Sequence, residues 1–199
     1  MREEVQLFRN TLNRLSNLSN DSFDKLHSIL EFRSIKKREF LIKEGEICRD
    51  LYFINKGMVR TYLIQDGIEV TTWVALAGNF DTSAHSFLKG IPSLTNLQAI
   101  TDCELIFISK NAYKRVLSTL PEGKDLALNI LEDYYINLEN MFYSCLSLPA
   151  IERYNKLGEL FPEHFRCVPQ KYLASMIRVK EATLSRLRKK LSQPHLDGI

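Results

Sequence analysis

Between Glu31 and Ser109 the apolar residues recur every second position, and glycines and turn pairs break the run into short pieces: EFRSIKK, FLIKEG, DLYFINKG, MVRTYLIQ, IEVTTWVAL, TNLQAIT and CELIFIS. This period allows half-buried strands and no helix. The most restrictive point is Asp66-Gly67, set between MVRTYLIQ and IEVTTWVAL. A two-residue hairpin turn that matches strand twist needs positive φ at both central residues, and Asp-Gly supplies it. With further punctuation at Gly45, Lys56-Gly57 and Gly78-Asn79, the spacing predicts an antiparallel β roll of the jelly-roll or double-stranded β-helix type. The intervening FDTSAHSFLKGIPSL (80–94) is rich in polar and small residues and reads as a short helix and loop set into the wall of that roll.

Helical patterns flank the strands, so the fold class is α+β. Residues 3–30 read as helical. Asn20, Asp21 and Ser22 offer a cap before Phe23, Leu26, Ile29 and Leu30, which make an apolar stripe. Ser109 caps KNAYKRVLSTL. Pro121 then suits the first turn of a long helix reaching about Leu148. That helix has two apolar stripes, Leu126, Ile130, Tyr134, Leu138, Met141 and Cys145 on one side and Leu128, Leu131, Tyr135, Phe142 and Leu146 on the other. Two stripes mean burial on two sides, against the chain's own roll and against a second copy. A homodimer through the first stripe is expected; a central helix of a monomer is the alternative. Pro149 makes a hinge, IERYNKLGELF is amphipathic and stopped by Pro162, and EHFRCV is a loop.

From Pro169 to Leu191 the sequence PQKYLASMIRVKEATLSRLRKKL reads as two short helices around a tight turn. Leu173 and Ile177 would be buried by the first, Leu184 and Leu187 by the second, with Val179 at the corner and small Ala174 at the crossing. That is the packing of a helix-turn-helix. Arg178 stands where many such turns carry Gly, at a cost of about 1 kcal/mol if the backbone there is left-handed. Arg166, Lys171, Arg178, Lys180, Arg186, Arg188, Lys189 and Lys190 face one acid, Glu181, while the whole chain is only +3. The basic excess is therefore concentrated here, on a helix face that a DNA major groove accepts.

The composition excludes several classes. There is no run of eighteen apolar residues and no apolar core at the N-terminus, so neither a membrane span nor a signal peptide is expected, and a cytoplasmic location follows. Cys48, Cys103, Cys145 and Cys167 lack metal-ligand spacing and lie in apolar patterns; they read as reduced, buried thiols. His27, His85, His164 and His195 sit on different elements, which argues against a metal-dependent β-roll enzyme of the cupin kind, or any enzyme.

The order of roll, long helix and helix-turn-helix resembles the Crp/Fnr family of transcription regulators over nearly the whole chain. The most specific part is LIKEGEICRDLYFINKG (41–57), similar to the cyclic-nucleotide-binding signature: Gly45 and Gly57 turn the chain, Cys48 is small, and Leu51 to Ile54 form a strand buried on both faces. The resemblance implies a sensor domain at 1–120, a dimerisation helix at 121–148 and a DNA-binding domain at 149–199, with RNA polymerase as a further partner. It also implies an effector pocket. Laid alongside without gaps, Thr82-Ser83 falls at the family's ribose-binding Gly-Glu pair and Ser93-Leu94 at its phosphate-binding Arg-Ser pair. Leu138-Glu139 falls at the Thr-Ser pair that meets the base. The cation and the carboxylate that cyclic AMP needs are absent from these positions, so cyclic AMP is not expected to bind and no cofactor is assigned. A buried phosphate without its Arg forfeits about 1.5–3 kcal/mol. The family's cysteine cluster for iron–sulfur sensing is missing before the roll, and His85 is read as structural or exposed rather than as a haem ligand.

In the recognition helix, Arg186 matches the family's base-contacting Arg and is expected on guanine, with Ser185 and Glu181 assisting. Lys171, Lys180, Thr183, Arg188, Lys189 and Lys190 are expected on phosphates, which position without specifying. The function expected is that of a dimeric, sequence-specific DNA-binding regulator. A small-molecule sensor or partner-binding protein whose C-terminal helices dock protein is the competing expectation.

Overall fold

The computed structural model describes residues 3–192. Two helices lead, α1 (Glu3–Leu15) and α2 (Asn20–His27), followed by strands β1 (Glu31–Ile35), β2 (Phe40–Ile42), β3 (Asp50–Lys56), β4 (Met58–Gln65), β5 (Ile68–Leu76) and β6 (Phe80–Asp81). Helix α3 (Ala84–Lys89), strands β7 (Asn96–Ala99) and β8 (Cys103–Ser109), and helices α4 (Lys110–Thr119), α5 (Gly123–Ser147), α6 (Ala150–Leu160), α7 (Pro162–Cys167), α8 (Gln170–Met176) and α9 (Glu181–Ser192) complete the chain. The antiparallel strands form two four-stranded sheets, in the order β1-β8-β3-β6 and β2-β7-β4-β5. Their inner faces make the roll.

The hairpin at Asp66-Gly67 forms as its sequence demands, with φ of 51° and 76°. Gly57 answers a harder constraint: its φ is 93°, and a Cβ there would lie 2.5 Å from the Asp102 carbonyl oxygen and 2.6 Å from Cys103 Sγ. Gly123 is equally confined, since its Cβ would meet the Val116 carbonyl at 2.1 Å, so α5 can start only against α4. Ser109 Oγ accepts from the Ala112 amide at 3.2 Å, capping α4 as expected.

Several boundaries differ from expectation, each for a local reason. The cap of α2 is Ser19, whose Oγ accepts from the Ser22 amide, and Ile29 and Leu30 lie beyond the helix yet still pack on the core. Pro121 precedes α5, whose N-cap is Glu122. Helix α6 stops before Pro162 as expected, but EHFRCV is not a loop: Pro162 opens α7 at the first turn, where the missing N–H is harmless. Residues 80–81, read as part of a helix and loop, pair with β3 as β6. Cys48 and Cys103 are buried, but Cys145 is half-buried and Cys167 exposed.

There are two apolar cores. One fills the roll and the seam beneath α1, α2, α4 and the start of α5, centred on Phe8, Phe53, Ile106 and Leu126. The other joins the outer face of β5 (Val74, Leu76) to α6, α8 and α9 through Leu157, Leu173, Ile177 and Leu184. Helix α5 serves both. Leu126 is fully buried and Ile130 packs on the roll core, Met141 packs on the second core, and Cys145 Sγ lies 3.7 Å from the Met176 carbonyl. Those members of the expected dimer stripe are thus spent within the chain. Tyr134 and Leu138 stay exposed, together with Leu128, Leu131, Tyr135, Phe142 and Leu146 of the second stripe. The outward side of α5 is therefore the opposite stripe.

Candidate nucleic-acid interface and roll interior

Ala174 of α8 is 1% exposed, inside the apolar core that α8 shares with α9. The turn closes by hydrogen bonds from the amides of Arg178 to the Ser175 carbonyl at 3.0 Å and of Val179 to the Ala174 carbonyl at 2.9 Å. Arg178 is left-handed, with φ of 60°, so the conformation usually given to Gly is carried here by Arg. Leu173, Met176, Ile177 and Leu184 are buried; Met176 extends the expected core, and Leu187 is half-buried rather than buried.

With Leu184 turned inward, helical spacing puts Ala182, Ser185, Arg186 and Lys189 on the outer side of α9. Arg186, Lys180, Glu181, Arg188, Lys189 and Lys171 are exposed, and Thr183 and Ser185 half-buried. The side chain of Lys190 and the residues from Gln193 onward, His195 included, lie outside the described residues. Gln170, Ser185, Arg188 and Lys189 line an open depression between the two helices. Arg188 stands on the flank toward α6, close enough to Tyr154 to stabilise its phenolate, although burial of the ring pushes that phenol up on balance.

Of the expected effector residues, the structure brings Ser83 and Ser93 into contact and turns Thr82 onto β3. Ser93 Oγ and Ser83 Oγ are 2.8 Å apart, Ser93 Oγ also donates to the Thr95 carbonyl at 2.7 Å, and Thr82 Oγ1 donates to the Asp50 carbonyl at 2.9 Å. Leu94 is 68% exposed and joins neither. Leu138 is exposed, and Glu139 accepts from Tyr143 on the outward side of α5. These three side chains therefore do not line a pocket within one chain.

Sequence reasoning missed the charged group of this region. Asp81 on β6 stands opposite Tyr52 on β3 and is 7% exposed. Its Oδ2 accepts from Thr61 Oγ1 on β4 at 3.0 Å and its Oδ1 from the Thr82 amide at 2.9 Å. Burial pushes this carboxyl up to about 7, with the two hydrogen bonds opposing. Tyr52 is raised by burial and by neighbouring groups including Asp81; Tyr134 of α5, though 47% exposed over its surface, is raised by the desolvation of its phenol and further by the Asp81 charge. The only hint in the sequence was an acid directly after Phe80 at the end of a strand-forming run.

A second missed feature is how the C-terminal helices sit. β5 is an edge strand, and α7 and α8 cover it. The Thr71 amide donates to Ser175 Oγ at 2.8 Å, and His164 Nε2 lies 2.7 Å from the Val74 carbonyl. Burial holds the His164 imidazole below its ordinary range, partly offset by that carbonyl. Trp73 packs edge-on to Phe161 at 5.1 Å and against His164 at 4.6 Å. Arg60, 9% exposed in its side chain, pairs with Glu69 at 2.7 Å and lies over the rings of Tyr62 and, across the seam, Tyr172. Among the described residues no cluster of His, Cys, Asp and Glu could hold a metal ion, and no helix is long and apolar enough to cross a membrane.

Residues 32–120 match the family model of the cyclic nucleotide-binding domain. Similar solved structures include FixK2 from Bradyrhizobium japonicum, with a TM-score of 0.70, 17% identity and coverage of 82% of this chain and 84% of that one. The c-di-GMP responsive global regulator CLP of Xanthomonas campestris gives 0.68 and 17%, covering 87% and 91%. The catabolite activator protein of Thermus thermophilus gives 0.57 and 20%, covering 92% and 86%. At these identities the likeness is one of fold, and it extends past the roll into the C-terminal helices. No curated protein sequence matches the chain.

Proposed function

We propose that the chain is a homodimeric, sequence-specific DNA-binding transcription regulator, with residues 1–120 as sensor, 121–148 as dimerisation segment and 149–199 as DNA reader. The observation that carries this reading is the outer side of α9: Ser185, Arg186 and Lys189 project from a helix anchored by fully buried Leu184. Arg186 reads guanine, with Ser185 and Glu181 assisting; Lys171, Lys180, Thr183, Lys189 and Lys190 hold phosphates, and Arg188 reaches the backbone from the flank of α9. The likeness of fold to three bacterial regulators supports the assignment without naming an operator.

The outward stripe of α5, Leu128, Leu131, Tyr135, Leu138, Phe142 and Leu146, is spaced by three and four residues, the period of a coiled-coil seam. A second copy on that seam would set two recognition helices against half-sites about one helical turn apart. The sensor is not built for cyclic AMP. Ser83 and Ser93 satisfy each other, and the nearby buried charge is the Asp81 carboxyl, which would repel a phosphate. Genome-wide binding of the tagged chain, followed by a shift assay on the enriched site, tests the function. Arg186→Ala should weaken operator binding by about 1–3 kcal/mol and relax specificity. Equal loss on operator and random DNA would remove Arg186 as the base reader, and binding insensitive to salt would favour a protein-docking role for these helices.

A further inference from the structure

Two features described separately meet at one residue. Thr61 points its hydroxyl into the roll, onto Asp81 Oδ2 at 3.0 Å. Its backbone carbonyl accepts from Thr72 Oγ1 at 3.2 Å. Thr72 is the extra residue of a β-bulge: Thr61 pairs with Trp73 and Tyr62 with Thr71, leaving Thr72 unmatched. Bulges bend an edge and re-aim its side chains. Here the residues on either side of the bulge are those that seat the C-terminal helices: Thr71 donates to Ser175 of α8, Trp73 packs on Phe161 and His164, and Arg60 with Tyr62 faces Tyr172.

We propose that Asp81 is a proton-sensing group, and that its protonation is transmitted through Thr61 and the Thr72 bulge to the seat of α8 on β5. Each carboxylate oxygen already holds one donor, so a proton is a ligand this packed site accepts without displacing a side chain. In the ionised state Thr61 Oγ1–H donates to Oδ2. When solvent delivers a proton to Oδ2, the new O–H donates to Thr61 Oγ1, and the Thr61 hydroxyl hydrogen must turn to another acceptor. The reversal falls on the residue whose carbonyl pins the bulge. Burial holds the carboxyl near neutrality, so both states are populated around pH 7.

The titratable groups facing Asp81 are the phenols of Tyr52 on β3 and Tyr134 on α5. Next in line are Cys48, with Sγ 3.3 Å from Thr82 Oγ1, and Asp50, which burial raises. Thr61 on β4, Trp73 on β5, and Thr82 and Ser83 ahead of α3 are neutral. The cation on β4, Arg60, is held with Glu69, Gln98 and Tyr172 at the seat of α8. Among the described residues no cation acts on Asp81.

Trp73, the single tryptophan of the chain, reports the seat directly. Its emission, followed from about pH 5.5 to 8.5, should show a transition centred near 7. The protection of the Thr71 amide, corrected for intrinsic exchange, should change by about fivefold or more over the same range. Both effects should persist in His164→Gln, which removes the other titrating group beside Trp73, and vanish in Asp81→Asn, which keeps one acceptor for Thr82 and one donor for Thr61. No transition in the wild type, a transition that survives Asp81→Asn, or one that disappears only with His164 would overturn the proposal. Should Asp81→Asn fail to fold, Thr61→Val carries the test: it removes the hydroxyl through which the proton acts on the bulge, so the Trp73 transition should vanish, and a transition that persists would refute the link. The regulatory meaning rests on the DNA-binding reading, but the readout uses no DNA. Lost operator binding with an intact Trp73 transition would sink that reading alone, and the converse would sink this one.

Discussion

Leu138→Glu places a carboxylate in the middle of the exposed seam of α5, where a symmetric pair would present it twice. Leu138 is 52% exposed in the single chain, and its five seam neighbours range from 50% to 69%. Burying a whole Leu or Phe side chain contributes about 1.5–3 kcal/mol, so covering the exposed half contributes about 1 kcal/mol each. Six such side chains per copy give on the order of 12 kcal/mol for the pair. Association costs of about 4–15 kcal/mol oppose this gain. The balance runs from about 8 kcal/mol in favour to about 3 kcal/mol against, so a pair on this seam cannot spare its centre. Losing two leucines removes about 2 kcal/mol, close to a thirtyfold rise in Kd, and two facing carboxylates add repulsion. Sedimentation velocity over a concentration series should show the wild type shifting to a dimer and Leu138→Glu remaining a monomer with unchanged far-UV circular dichroism. Glu at Leu94, which is exposed but off the seam, should leave the dimer intact. A wild type that stays monomeric at about 100 μM, or a Leu138→Glu chain that still pairs, would refute the seam.

Gly57→Ala combines a left-handed backbone with a Cβ driven into Asp102 and Cys103, and should lower unfolding free energy by about 2–4 kcal/mol in urea titration. Gly67→Ala, also at positive φ but with nothing within 4 Å, should cost only about 1 kcal/mol. For Asp81, the folded state raises the carboxyl from 3.8 to about 7, so folding takes up a proton between those values. Stability should fall as pH rises through that window, by about 4 kcal/mol in all, and level off above it. Asp81→Asn should remove the slope and exceed the wild type above pH 7. His164, held low by burial, acts in the opposite sense on the acid side, so the difference between wild type and variant is the quantity to measure.

How much of this was legible in the sequence depended on distance along the chain. The Asp66-Gly67 turn and the Ser109 cap are decided within four residues, and both formed as read. The sequence of α5 puts its first stripe at a dimer seam, yet Leu126, Ile130, Met141 and Cys145 of that stripe pack within the chain, because Gly123 packing on Val116 fixes how α5 leaves α4. Pro162 is both the stop of α6 and the start of α7; EHFRCV reads as a loop because the six-residue helix is too short for a periodic apolar pattern. Resemblance points to Thr82, Ser83 and Ser93, of which Ser83 and Ser93 meet, but not to the acid Asp81 next to Thr82, since periodicity is silent about a two-residue strand. The seat of the C-terminal helices was out of reach. Its hydrogen bond from Thr71 to Ser175 joins residues 104 apart, and nothing near either one announces the other.

The way α7 and α8 cover β5 carries a consequence for handling the protein. An uncapped outer strand is a template onto which another polypeptide can zip, and Thr71 and Val74 would present their main-chain groups for it. A fragment ending after Ser147 would bare that rim together with Val74, Leu76 and Trp73. Such a fragment should be the stickiest version of this chain. The C-terminal helices thus act as a stopper on the roll.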